Sequence, residues 1–199
     1  QRDTIILMGS DAQKNLYIIN HTFAGPGTYR VTMEDPNRNA GVVNIGGTTS
    51  SDQFPFCIAT EIVVSPFLGV NNSVIFNDCP CPEIACVNKR YCYNSQATDP
   101  DGDSLSYALV PCLGFGCNPL TTPVVYQFPD VYGGTFSINP SSGTLCWINP
   151  TRIGEFNVAI LITEWRNGIK IGTVLRDVQI TVKASCSNDP PVITTITNT

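Results

Sequence analysis

Charge, histidine, basic clusters and long apolar runs are all scarce in this sequence. Charged residues make up only 14% of it, and 11 Lys and Arg face 16 Asp and Glu, for a net charge of −5. That balance argues against a nucleic-acid partner, because phosphate binding draws on clustered basic side chains. The densest basic run, Asn88-Lys89-Arg90, carries two charges. No apolar run approaches the ~18 residues of a membrane-spanning helix, so no membrane span is expected. The opening QRDTIILMG has no basic segment ahead of a long apolar core and does not read as a signal peptide. A secreted product would then be a mature chain or a piece of a longer one. The one histidine, His21 in IINHTF, would have to carry any Ser-His-Asp or Cys-His device alone; beside strand-like sequence it reads as structural. No GxxxxGK[ST] loop is present. Helical periodicity is missing too, and 16 Gly and 15 Pro cut the chain into short segments.

Cysteine is abundant. Nine are present, and beside one histidine that density favours disulfides and an oxidising compartment over zinc, even at CPCPEIAC. An odd count allows at most four internal bridges. The later cysteines, Cys79, Cys81, Cys86, Cys92, Cys112, Cys117, Cys146 and Cys186, are assigned to the disulfide framework with their pairing open. The surface relies on Thr, Ser, Asn and Gly, in keeping with an extracellular β protein.

Period-two alternation replaces helical spacing. In FPFCIATEIVV, Phe54, Phe56, Ile58, Thr60, Ile62 and Val64 fall on one face; in GTYRVTME, Tyr29, Val31 and Met33 do. Strands at this spacing, with turn residues between them, point to β-sandwich architecture. FNVAILITEW and IKIGTVLRDVQITV flank Asn167-Gly168, a strong hairpin signal. Arms of about 10 and 14 residues at ~3.3 Å each would reach roughly 33–46 Å, well beyond the usual ~17–20 Å, which suits an elongated module. SPFLGVNNS reads as a boundary near 65–73. The expected organisation is residues 1–68, a β domain that could lack its first strands, then 69–184, a β-sandwich with a cysteine-rich insert. Residues 185–199 would be a linker or an extended terminal strand.

One loop carries candidate chemistry. ATDPDGDSL sets Asp99, Asp101 and Asp103 at alternate positions around Pro100 and Gly102. Clustered carboxylates repel unless neutralised, and Ca²⁺, with 6–8 oxygen ligands, suits such a loop. The stretch is no EF-hand, since the positions for its Gly and Glu hold Ser104 and Val110. The plainer reading is an Asx-rich turn. A second loop, EDPNRNAG, offers Asp35, Asn37 and Asn39 beside Glu34; with Arg38 inside, it is the weaker metal candidate. A glycosidase would need two facing carboxylates; Glu155, Glu164 and Asp99 qualify by type alone. Six aromatics, Tyr91, Tyr93, Tyr126, Tyr132, Trp147 and Trp165, could stack on sugars or fill the core. Asn20-His21-Thr22 and Asn71-Asn72-Ser73 fit the N-glycosylation pattern.

GPGTYRVTMEDPNRNAGVVNI, ATDPDGDSLSYALVP and GEFNVAILITEWRNGIKIGTVLRDVQITV, with CSNDPP after them, together resemble one family. It is the large secreted surface proteins of Bacteroidetes labelled gliding-motility-associated C-terminal domain proteins. GTFSINPSSGTLCW also resembles a strand pair of bacterial Ig-like domains. The resemblance implies an all-β chain of two Ig-like or cadherin-like β-sandwich domains in tandem, stabilised by disulfides and exported by the type IX route. In cadherin-like repeats such acids bind Ca²⁺, which would fall to Asp99, Asp101 and Asp103. The insert CPCPEIACVNKRYC departs from the family pattern. The expectation is a non-catalytic, extracellular structural or adhesive protein. It would self-associate or meet neighbouring domains, with TIILM and PPVITTIT as the segments reaching a neighbour. The alternative is a carbohydrate-binding module that meets a surface glycan.

Overall fold

The computed structural model describes residues 2–7, 13–77, 83–122 and 124–186. Its strands are β1 (Arg2–Leu7), β2 (Gln13–Tyr17), β3 (Gly27–Asp35), β4 (Phe56–Val64), β5 (Ile75–Phe76), β6 (Glu83–Cys86) and β7 (Tyr91–Tyr93), followed by β8 (Ala97–Thr98), β9 (Ser104–Val110), β10 (Thr135–Ile138), β11 (Leu145–Ile148), β12 (Gly154–Arg166) and β13 (Ile169–Lys183). Helix is confined to three short 3-10 turns among the described residues.

The predicted hairpin organises everything else. Asn167 and Gly168 take φ of 52° and 77°, the left-handed region that a tight two-residue turn needs. From that turn β12 and β13 pair from Arg166 opposite Ile169 to Gly154 opposite Val182, with one bulge between Glu164 and Trp165. Strands of 13 and 15 residues persist because both faces are covered. On one face Phe156, Val158, Ile160 and Ile162, with Val178, Ile180 and Val182, pack under Tyr91, Tyr93, Leu145 and Trp147. These last come from a three-stranded sheet ordered β10-β11-β7, so the two sheets form a β-sandwich. On the other face Ala159 and Leu175 lie beneath a layer of loops carrying Val42, Ile45, Leu113, Leu120 and Tyr126. Burial on both faces explains why VAILI, residues 158–162, reads as a continuous apolar run rather than an alternation. Trp147 is the largest buried side chain; its Nε1 donates to Gly133 O at 2.8 Å, and its ring meets Phe136 and Phe156 edge-on.

The main sheet runs β3-β4-β13-β12-β9, with β6 parallel to the end of β13. The alternation in β3 and β4 appears in the register, where Tyr29, Val31 and Met33 face Ile62, Thr60 and Ile58. Because β4 also pairs with residues 172–174 of β13, the stretches before and after 65–73 lie in one sheet. They also share a buried cluster, in which Val42, Ile45 and Cys57 join Cys112 and Leu113.

Three disulfides join described residues: Cys57–Cys117, Cys86–Cys186 and Cys92–Cys146, with Cα–Cα separations of 5.4, 6.0 and 4.2 Å. This corrects the expected framework at two positions. Cys112 is a free, buried thiol, while Cys57 is bridged. The reason is placement: Cys112 faces Asp177 and Tyr126 inside the loop layer, whereas Cys57 on β4 lies beside the 3-10 turn that ends at Cys117. Cys79 and Cys81 lie outside the described residues, as do Met8 and all of PPVITTIT. Residues 4–7 of TIILM belong to β1, which pairs with β2.

Candidate functional site

The acidic loop sits between β8 and β9. Asp99 Oδ1 accepts the N–H groups of Asp101 (2.9 Å) and Asp103 (3.1 Å), folding the loop around its own first aspartate. Gly102, at φ 81°, completes the turn through an N–H bond to Asp99 O. One carboxylate oxygen from each of Asp99, Asp101 and Asp103 lies within 4.8 Å of the others, a grouping that could hold a metal ion. Asp99 Oδ2 is buried with no hydrogen-bond partner among the described residues.

A guanidinium already faces this cluster. Arg166, the last residue of β12, donates from Nε to Asp103 Oδ1 (2.9 Å) and from Nη2 to Asp103 Oδ2 (2.6 Å). The same Nη2 reaches Asp101 Oδ2 at 3.3 Å. Its other donors close on the 65–73 segment: Nη1 on Leu68 O (2.6 Å) and Val70 O (3.0 Å), Nη2 on Asn71 Oδ1 (3.1 Å). The hairpin tip, the acidic loop and the segment expected to be a boundary are thus fastened by one side chain. A bidentate guanidinium–carboxylate pair is among the stronger polar contacts available. An added cation would share Asp101 and Asp103 with Arg166 or displace it.

Glu164, two residues earlier on the same strand, extends the fastening inward. It is fully buried, and its carboxylate accepts Asn71 Nδ2 (2.8 Å) and the Val74 N–H (3.0 Å). Gly172 lies opposite, where a Cβ would collide with that carboxylate. Asp101 docks the same segment by accepting the N–H (2.6 Å) and Nδ2 (2.9 Å) of Asn72. Those two bonds, with Arg166 adding to them, hold the Asp101 carboxyl below its ordinary pKa. A carboxyl lowered on folding adds stability above its unfolded pKa, and that stability is lost as pH falls through the folded value. The melting temperature of the native chain is therefore expected to drop on acidification below about pH 4. D101N is expected to flatten that part of the profile in calorimetry run from about pH 2.5 to 7.

The weaker loop is engaged differently. Asp35 Oδ1 accepts the Asn37 N–H at 2.9 Å, an Asx turn, and Asn39 Nδ2 donates to Gln179 Oε1 at 2.9 Å. Arg38, between them, turns inward to an ion pair that sequence reasoning missed. Its Nη1 lies 3.7 Å from Asp177 Oδ2, both side chains being 2% exposed. Its Nη2 donates to Leu113 O (3.0 Å) and Pro55 O (3.3 Å). Burial raises the Asp177 carboxyl and pushes the adjoining Cys112 thiol well up, so that thiol is no nucleophile at neutral pH. A lone Arg among Asx residues gives no sign of burial; only the apolar residues on either side of the loop hint at it.

The other sequence candidates are placed apart from any such cluster. Tyr91, Tyr93, Tyr126 and Trp147 are buried core. Trp165 donates to Ser106 Oγ, and the Tyr132 hydroxyl donates to Gln127 Oε1. His21 stacks edge-on against Phe23. An open cleft of about 590 Å³ runs beside β13, with Phe56, Phe76, Glu83, Arg176 and Gln179 among its walls. Compared with known proteins, the chain matches no family model and no curated protein.

Proposed function

We propose that this chain is a non-catalytic structural or adhesive module that works outside the cell, in the manner of the Bacteroidetes surface proteins its segments resemble. The observation that carries this reading is the covalent reinforcement of one β-sandwich by three bridges of long sequence separation, 60, 100 and 54 residues. Bridges of that span constrain the unfolded chain strongly and persist in oxidising surroundings. The candidate carboxylates support it as well: Glu164 serves a buried backbone N–H, and Asp101 and Asp103 hold Arg166. Immunogold electron microscopy of the source cells is expected to place label on the surface or on extracellular fibres. Label confined to the cytoplasm overturns the reading.

Ca²⁺ is the ion we assign to the acidic loop, with the buried Asp99 Oδ2 as its anchor. Millimolar Ca²⁺ is expected to raise the melting temperature by a few degrees over EDTA, about 1–2 kcal/mol of binding linkage, and D99N to abolish the rise. Identical melting in Ca²⁺ and EDTA contradicts the assignment. The carbohydrate-binding alternative finds support in the cleft beside β13, where Arg176 lies 4.5 Å from the Phe76 ring centre. A glycan array without hits at high protein concentration sinks it.

A further inference from the structure

β3 is an edge strand with an unguarded outer side. It pairs with β4 along all nine of its residues, from Gly27 opposite Val64 to Asp35 opposite Phe56, with no bulge. Its other edge has no partner strand among the described residues, and every residue but Tyr29 is exposed. Sheet edges are ordinarily blunted by proline, lysine, a bulge or a covering loop. GTYRVTMED has neither proline nor lysine, and Val31 and Met33 stand 47% and 42% exposed on it.

Its charges are arranged to complement themselves. Arg30 and Glu34 lie on one face, symmetric about Thr32. In an antiparallel pair of two copies about a two-fold axis through Thr32, Arg30 of each copy meets Glu34 of the other. On the opposite face Val31 of each meets Met33 of the other. Only registers with a residue on the axis keep like faces together. Shifting the axis to residue 31 sets Arg30 against Thr32, and shifting it to residue 33 sets Arg30 against Pro36, just past the strand, so both ion pairs are lost. Within its own chain Arg30 donates to Cys117 O at 2.6 Å; Glu61, its cross-strand neighbour, is held by Lys170 at 2.5 Å.

The geometry points to β3 as a homotypic interface, in which a second copy of this chain adds its own β3 edge-to-edge, centred on Thr32, and joins the two main sheets into one. Opposite charges and apolar pairs facing across strands stabilise such a contact, and like charges destabilise it. The symmetry is isologous, so the contact closes as a dimer.

Sedimentation equilibrium on the full chain tests this. A species of twice 21.5 kDa is expected at tens to hundreds of micromolar. R30E alone and E34R alone each oppose like charges across both pairs and are expected to weaken dimerisation at least about tenfold. The double variant R30E/E34R, and an equimolar mixture of the two single variants, restore complementary pairs and are expected to restore the dimer. Far-UV circular dichroism spectra that match the native chain's confirm that the variants keep the fold. Overturning results are a monomer throughout, a dimer indifferent to both single variants, or failure of the double variant and the mixture to recover.

Discussion

Arg166→Ala is expected to lower the chemical-denaturation midpoint clearly, more than removal of an ordinary surface charge does, with the fold otherwise retained. Six contacts go with the guanidinium: both oxygens of Asp103, one of Asp101, Asn71 Oδ1 and two backbone carbonyls of the 68–70 segment. The loss is larger than for a surface ion pair, whose worth is usually below about 1 kcal/mol. Asp103 is 5% exposed in its side chain and would be left a nearly buried carboxylate without its charge partner. The hydrogen bonds of the carbonyls are lost as well. R166K should recover only part of the stability, because an ammonium cannot make the bidentate pair while also reaching both carbonyls. Faster amide exchange at residues 68–74 and 99–103 should accompany the change, leaving β7, β10 and β11 as protected as before. A midpoint shift no larger than that of an exposed ion pair would make the clasp a surface ornament and return the acidic loop to a free ligand set.

Trp147→Ala is expected to cost about 4 kcal/mol, the range for a large aromatic removed from a packed core. For a chain of this length, about 2–4 °C of melting temperature follows each kcal/mol. Trp147 is fully buried between Phe136 and Phe156, and its ring is what the three-stranded sheet sets against the hairpin. Its Nε1–H bond to Gly133 O fixes the loop before β10. W147F should cost less, since it keeps an aromatic ring and forfeits mainly that hydrogen bond and part of the volume. Equal losses in the two variants would place the weight on the hydrogen bond; no loss in either would remove Trp147 from the core.

Much of the fold is legible in the residues. The turn at Asn167-Gly168, the length of the hairpin and the shared faces of β3 and β4 all follow from local pattern, because φ > 0 and period-two burial leave local marks. Pairing between distant strands leaves none. Nothing in FCIATEIVV says that residues 60–62 lie against residues 172–174, so a turn-rich segment at 65–73 reads as a boundary when it is a loop of one sheet. The cysteines behave alike: their number implies bridges, but proximity chooses partners, and Cys57 joins Cys117 while Cys112 points into the loop layer. For the acidic loop, the alternation of Asp99, Asp101 and Asp103 predicts their convergence. It cannot show that Arg166, more than sixty residues away, pairs with two of the three.

Disulfide mapping of the protein taken from its source without reduction goes most directly to whether this sandwich is built for life outside the cell. Peptides joining Cys57 to Cys117, Cys86 to Cys186 and Cys92 to Cys146, with Cys112 alkylated only after unfolding, are the expected result. Free thiols at those six bridged positions in the native protein would contradict it, and the extracellular function would fall with them.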